Sequence, residues 1–402
     1  MTQPMLKNQR LDYLDAVRAF ALLLGIVFHA SLSFMPLYIG WAVMDISTSP
    51  VVPVFMLISH SFRMELFFLI AGFFSHMAFH NQGTKAFIQS RTVRIAIPFI
   101  IGWLILRPLI VSGWIMGAAS LRGDVDISGA LLAGVTTLGE LPKGFLTGSH
   151  LWFLYYLLLL TAVILVARCA IYLHTPIKNY LAVRADKALC WVCSSPFALI
   201  ALAIPTAVCL WFMDHWGVDT PDKSLIPHIP VTLLYGGIFL FGWLMHRQAN
   251  CIDSFSRITG FKVALCLFSV GASVKLSSFE MQTGLPYYTW LKVNFMLSYA
   301  VMMWTLIALT LGLFKTLFNR QSKIIRYFSD ASYWLYLIHL PIVVWLQVAF
   351  AELPLHWGMK WALISSTTII FSIILYDTCV RATLIGAILN GKKRKRLMSV
   401  LK

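Results

Sequence analysis

Apolar residues run along this chain in long blocks, each ended by a short polar or basic stretch. A block of about 20 such residues is long enough to carry a helix across a bilayer. Ten blocks predict ten spans: 14–38, 53–79, 95–116, 150–171, 190–212, 229–245, 261–277, 289–313, 328–350 and 357–379. The fifth is interrupted by Pro196 and Pro205, and the sixth is short. Alternation of the blocks predicts outer loops at 39–52, 117–149, 213–228, 278–288 and 351–356. The second is the longest, and its run LLAGVTTLGELPKGFLTG predicts a re-entrant or interfacial segment over the outer mouth. No repeat, low-complexity tract or soluble domain breaks the pattern. The expected fold is all-α: a polytopic integral membrane protein of about ten transmembrane helices.

Composition agrees. Of 402 residues, 59% are hydrophobic and only 12% charged, far outside soluble usage. The first block is too long for a cleavable signal, and no small-residue cleavage site follows it.

The net charge of +16 changes the picture only through its distribution. One set of alternate loops collects most of the Lys and Arg, from Lys7 and Arg10 through Arg184 and Arg247 to Arg326. The other holds only Arg122, Lys143, Lys223 and Lys275. The positive-inside rule then puts both termini in the cytoplasm and requires an even number of spans. The same asymmetry argues against a nucleic-acid partner. The final run KKRKR, Lys392 to Arg396, is expected at anionic membrane lipid. Residues 1–13 form a cytoplasmic lead, 14–379 one membrane domain, and 380–402 a basic tail. The seven cysteines are scattered, and Cys190-x-x-Cys193 lacks a second pair at zinc spacing. Neither a disulfide framework nor a metal site is expected.

Several ionisable groups lie inside the blocks, where they are costly and usually face a cavity or a partner. Arg18 and His29 are eleven positions apart. That is within about 20° of three helical turns, so they share a face, about 16 Å apart along the axis. Ser332, Tyr336 and His339 share a face of the ninth helix at offsets of four and seven. Such a stripe suits helix–helix contact or the lining of a reaction centre. His60, Arg63 and Glu65 fall in the outer half of the second helix and Arg107 in that of the third. Arg63 and Glu65, two apart, do not face each other. If Glu65 pairs with a cation, that partner is therefore expected on another helix. Arg91 and Arg94 share a face at the inner start of the third helix, with Arg18 and Lys85 expected nearby. A cluster of this kind suits a phosphorylated ligand arriving from the cytoplasm.

Three patterns together resemble membrane acyltransferase family 3: Arg18-x10-His29, Arg91-x2-Arg94, and Ser332-x3-Tyr336-x2-His339. The resemblance covers nearly the whole chain. HSFRMELFFLIAGFFS at 60–75, HLWFL at 150–154 and FSDASYWLYLIHLP at 328–341 are similar to the branch acting on osmoregulated periplasmic glucans. Ala71 stands where many members carry serine. The resemblance implies transfer of an acyl group, succinyl in this branch, from cytoplasmic acyl-CoA to a hydroxyl of a periplasmic glucan. It implies no tightly bound cofactor, with succinyl-CoA or acetyl-CoA as co-substrate. The expected location is the bacterial inner membrane.

On this basis Arg18, Arg91 and Arg94 are the expected CoA-binding residues, and His29, His339 and Tyr336 the expected catalytic ones. Arg63, Glu65, Ser332, His150 and Trp152 are expected to bind substrate. A neutral imidazole at His29 is the right species to take a proton from an attacking hydroxyl. Tyr336 and His339 would orient it or stabilise the oxyanion. An acyl-histidine relay stays open. Two alternatives also stand: an O-acetyltransferase for another envelope polysaccharide, and a glycan or anion transporter. The missing internal repeat speaks against the transporter.

Overall fold

A computed structural model describes residues 12–121, 125–139, 149–195, 197–318 and 322–396. They form fifteen α-helices and no strand. In order these are α1 (Asp12–Ser31), α2 (Val51–Gln82), α3 (Thr84–Arg91), α4 (Ile97–Ala119) and α5 (Ile127–Thr136). Next come α6 (Trp152–Tyr172), α7 (Thr175–Ser194), α8 (Ala198–Trp211), α9 (Ile229–Met245) and α10 (Ala249–Phe255). Last are α11 (Gly260–Ser277), α12 (Tyr288–Leu317), α13 (Lys323–Phe350), α14 (Trp357–Leu375) and α15 (Leu384–Asn390).

Eight helical segments among the described residues are long and apolar enough to span a bilayer, and α7 with α8 makes a ninth if the pair is one span. α9 is a shorter apolar helix of 17 residues. The protein is therefore a multi-pass membrane protein. Boundaries differ from expectation at three places. α1 stops at Ser31 and ends in a 3-10 turn, Leu32–Phe34, before extended Met35 and then Pro36. The third span begins far earlier, because α3 joins α4 through a π-helical turn at Thr92–Ala96. The fifth is a broken pair, α7 and α8 meeting at 114°. In the long outer loop, α5 packs on α4, where Gly134 lies against the Pro108 carbonyl. Residues 140–148 of that loop lie outside the described residues.

Contacts between segments near the helix ends keep to the predicted sides. Arg247 meets Asp186 at 3.0 Å, Lys315 meets Asp253 at 2.6 Å, and Arg394 meets Asp330 at 3.0 Å, all at the basic end. At the opposite end the Ser149 amide donates to the Asp222 carbonyl at 2.8 Å, and the Trp216 amide donates to Glu280 at 2.9 Å. There, too, Lys360 and Asp45 form a fully buried pair at 2.7 Å. This pair ties the loop after α1 to α14.

Without a hydrophobic drive between helices in lipid, close approach depends on small residues. α2 and α9 use this reciprocally. A methyl at Gly72 would collide with the Phe239 carbonyl, and one at Gly242 with the Leu69 carbonyl. The contact holds α2, and hence Arg63, at a fixed depth.

Candidate functional site

One cavity of about 960 Å³ runs from the basic end to the opposite end of the bundle. Its basic mouth is lined by Arg18, Arg91, Arg94, Ser329, Tyr333 and Asn390. Arg18 donates to the Ser329 hydroxyl at 2.7 Å and lies 3.5 Å from Asp15, so its charge is partly answered within the protein. Arg91 donates to the Ser75 hydroxyl at 3.0 Å. Arg94 is exposed, and the Tyr333 hydroxyl donates to its carbonyl at 2.6 Å. The π turn, Thr92–Ala96, begins just after Arg91 and contains Arg94. Such insertions alter the face a helix presents and are frequent at functional sites. Lys85 is exposed and does not line the cavity.

Midway, three imidazoles converge. His29 and His339 have ring centroids 5.3 Å apart, and His339 and His150 are 5.6 Å apart. The hydrogen bonds decide two of the tautomers. Nδ1 of His339 lies 2.8 Å from the Tyr336 carbonyl, which only accepts, so this nitrogen donates. Its buried Nε2 has no partner and keeps an open lone pair. Likewise Nε2 of His150 donates to the Leu337 carbonyl at 2.9 Å, leaving Nδ1 unpartnered. The Tyr336 hydroxyl donates to the His150 carbonyl at 2.7 Å, so its proton is used in fixing that turn. Ser149, just before, is the one described non-glycine residue with positive φ, at 47°. Its strained backbone aims His150 inward.

His29 is held by groups beyond the expected set. Trp41 stacks on its ring at 5.5 Å and 17°. The Trp41 indole donates to the Gln347 side chain at 2.8 Å, and Gln347 in turn donates to the His29 carbonyl at 3.0 Å. Neither Trp41 nor Gln347 was anticipated. Trp41 sits in a loop that periodicity says nothing about. Gln347 lies eight residues past His339, a spacing that keeps it near the same helix face and could have found it.

Those imidazoles, in a chamber that opens toward a cluster of arginines, suit proton transfer on an anionic substrate entering from the basic end. Comparison with known proteins agrees with that chemistry. A family described as an acyltransferase domain matches residues 11–377. The chain belongs to this acyltransferase family. Among curated relatives of this acyltransferase, glucans biosynthesis protein C of Escherichia coli K12 is 26% identical over 96% of this chain and 95% of its own. The protein of that name from Escherichia coli O1:K1 matches with the same identity and coverage. No solved structure matches.

In this acyltransferase Arg18, His29, Arg63, Arg91, Arg94, His150, Trp152, Ser332, Tyr336 and His339 all line the one cavity. Glu65 does not. It is fully buried, turned about 200° from Arg63 around α2, and both its oxygens lack a hydrogen-bond partner. Among the described residues no cation on another helix forms an ion pair with it. Arg107 also lies off the cavity, over the Trp103 ring at 5.0 Å. The outer mouth is built from His60, which bonds Thr220 at 2.9 Å, and from Asp219, Asp222, Lys223 and Glu280.

Proposed function

We propose that the protein is an O-acyltransferase that takes an acyl group from cytoplasmic acyl-CoA and places it on a hydroxyl of a periplasmic glucan, succinyl being the group transferred. The observation that supports this most is the single cavity, with arginines at one mouth and imidazoles in the middle. Acyl-CoA is polyanionic and does not cross a bilayer. Its phosphates would stay at Arg91, Arg94 and Arg18 while the pantetheine arm threads inward to the His29 layer. The acceptor hydroxyl would enter from the opposite mouth, past His60 and Asp219.

His29 would take the hydroxyl proton as the oxygen attacks the thioester carbonyl. The tetrahedral intermediate would then collapse with cleavage of the C–S bond, expelling CoA thiolate, which takes up the hydroxyl's proton from the imidazolium. Trp41 and Gln347 keep the His29 ring in place, so no ordering cost falls on the reacting complex.

The test is CoA release by the purified protein in liposomes, with and without glucan, together with mass spectrometry of the glucan. Release that depends on glucan, with a succinyl mass added to it, is the expected result. Glucan movement across the membrane without CoA release would make the protein a transporter.

A further inference from the structure

Among the described residues Arg63 makes no ion pair inside the acyltransferase cavity, and Glu65, two positions along α2, acts on it only through space. Arg63 is only 5% exposed and lines the cavity at the level of the imidazoles. Its Nε and Nη1 are buried with no acceptor, and no described carboxylate forms an ion pair with it. The cavity's own carboxylates, Asp219, Asp222 and Glu280, belong to the outer loops. One face of the guanidinium is covered by the Phe28 ring at 4.3 Å, which holds it in place without neutralising it. A buried charge is normally paired. Here the protein leaves the partner to be supplied.

The position of Arg63 says what that partner is. Its Nη1 lies 3.3 Å from where a Cβ on Gly25 would sit. Gly25 is four residues before His29, on the same helix face. Side chains on a helix lean toward its N-terminus, so the His29 imidazole covers the turn that Gly25 leaves bare. The guanidinium and the imidazole thus border one spot in the cavity.

We propose that Arg63 receives a second carboxylate on the acyl group itself, making the site selective for dicarboxylic acyl donors. This rests on the acyl-transfer reading above. In a four-carbon diacid, three carbon–carbon bonds separate the thioester carbonyl from the free carboxylate. At ~1.5 Å per bond that is about 4 Å end to end. An acyl group that short has its thioester carbon and its free carboxylate close enough together for both to lie at the one spot that His29 and Arg63 border. An acetyl or butyryl group would leave the guanidinium unpaired.

The experiment compares succinyl-CoA with butyryl-CoA, which has the same chain length and no distal charge. Both CoA release and competition binding are read, on the full chain in liposomes. The wild type should favour succinyl-CoA by about 10- to 100-fold, the range of one charge-assisted contact. Arg63→Gln should erase that preference by weakening succinyl-CoA far more than butyryl-CoA, and Arg63→Lys should keep part of it. Equal use of both donors by the wild type would overturn the assignment and leave acyl transfer standing. So would an equal loss of both donors in Arg63→Gln, which would place Arg63 in the reaction or the fold. Should neither donor turn over, the acyl-transfer reading fails, and the affinity ratio between the two donors still decides the role of Arg63.

Discussion

His29 and His339 face each other across the cavity, their ring centroids 5.3 Å apart and their planes tilted by 40°. They come from α1 and α13, packed side by side. His339 donates its Nδ1–H to the Tyr336 carbonyl, so the open Nε2 of the neutral ring can only accept. His29 makes no such bond and is clamped by Trp41 instead. Two neighbouring imidazoles thus have different freedom.

His29→Gln should abolish acyl transfer and leave acyl-CoA binding intact. Loss of general-base help costs roughly 10²–10⁴ in rate. Phosphate contacts lie about three helical turns away at the basic mouth, so binding and chemistry are separated in space. Binding, protein level and glucan acylation are measured on one preparation. A near-normal rate in His29→Gln, with His339→Gln inactive, would move the base to His339.

The Arg91→Gln, Arg94→Gln double variant should raise KM for acyl-CoA with little change in kcat. Each charge-assisted phosphate contact contributes about 1.5–3 kcal/mol. Arg94 is exposed and Arg91 is tied to Ser75, so Arg91→Gln alone should cost some stability as well. An unchanged KM in the folded double variant would reduce both to determinants of topology.

Trp41→Ala should lower kcat more than it raises KM for acyl-CoA, because the indole touches His29 and not the basic mouth. Ring stacking contributes about 0.5–1.5 kcal/mol, so a loss near tenfold is expected. Trp41→Phe keeps a ring but loses the bond to Gln347, and should fall between. A loss confined to KM would contradict the clamp.

Gly242→Val should destabilise the bundle. Overpacking costs about 1–3 kcal/mol where side chains can move. Here the obstacle is the Leu69 backbone carbonyl, so α2 and α9 must separate. Thermal unfolding in detergent should show a lower midpoint for Gly242→Val and for Gly72→Val. Wild-type midpoints in both would mean that the crossing tolerates separation.

The chain's own order of residues determined the membrane fold, because a 20-residue apolar block has few other stable outcomes than a helix in lipid. It also determined which residues share a face. Arg18 below His29, and Ser332 with Tyr336 and His339, follow from helical period alone, and all five line the cavity. What period cannot report is how one helix is turned toward another. Glu65 and Arg63 sit two residues apart on α2, yet only Arg63 lines the cavity, because packing between helices chose which face of α2 to bury there. Likewise Trp41 reaches His29 because Asp45 binds Lys360 across more than three hundred residues and sets the path of the intervening loop. Hydrogen bonds at that distance, and the tautomers they impose on His150 and His339, exist only once the helices are assembled.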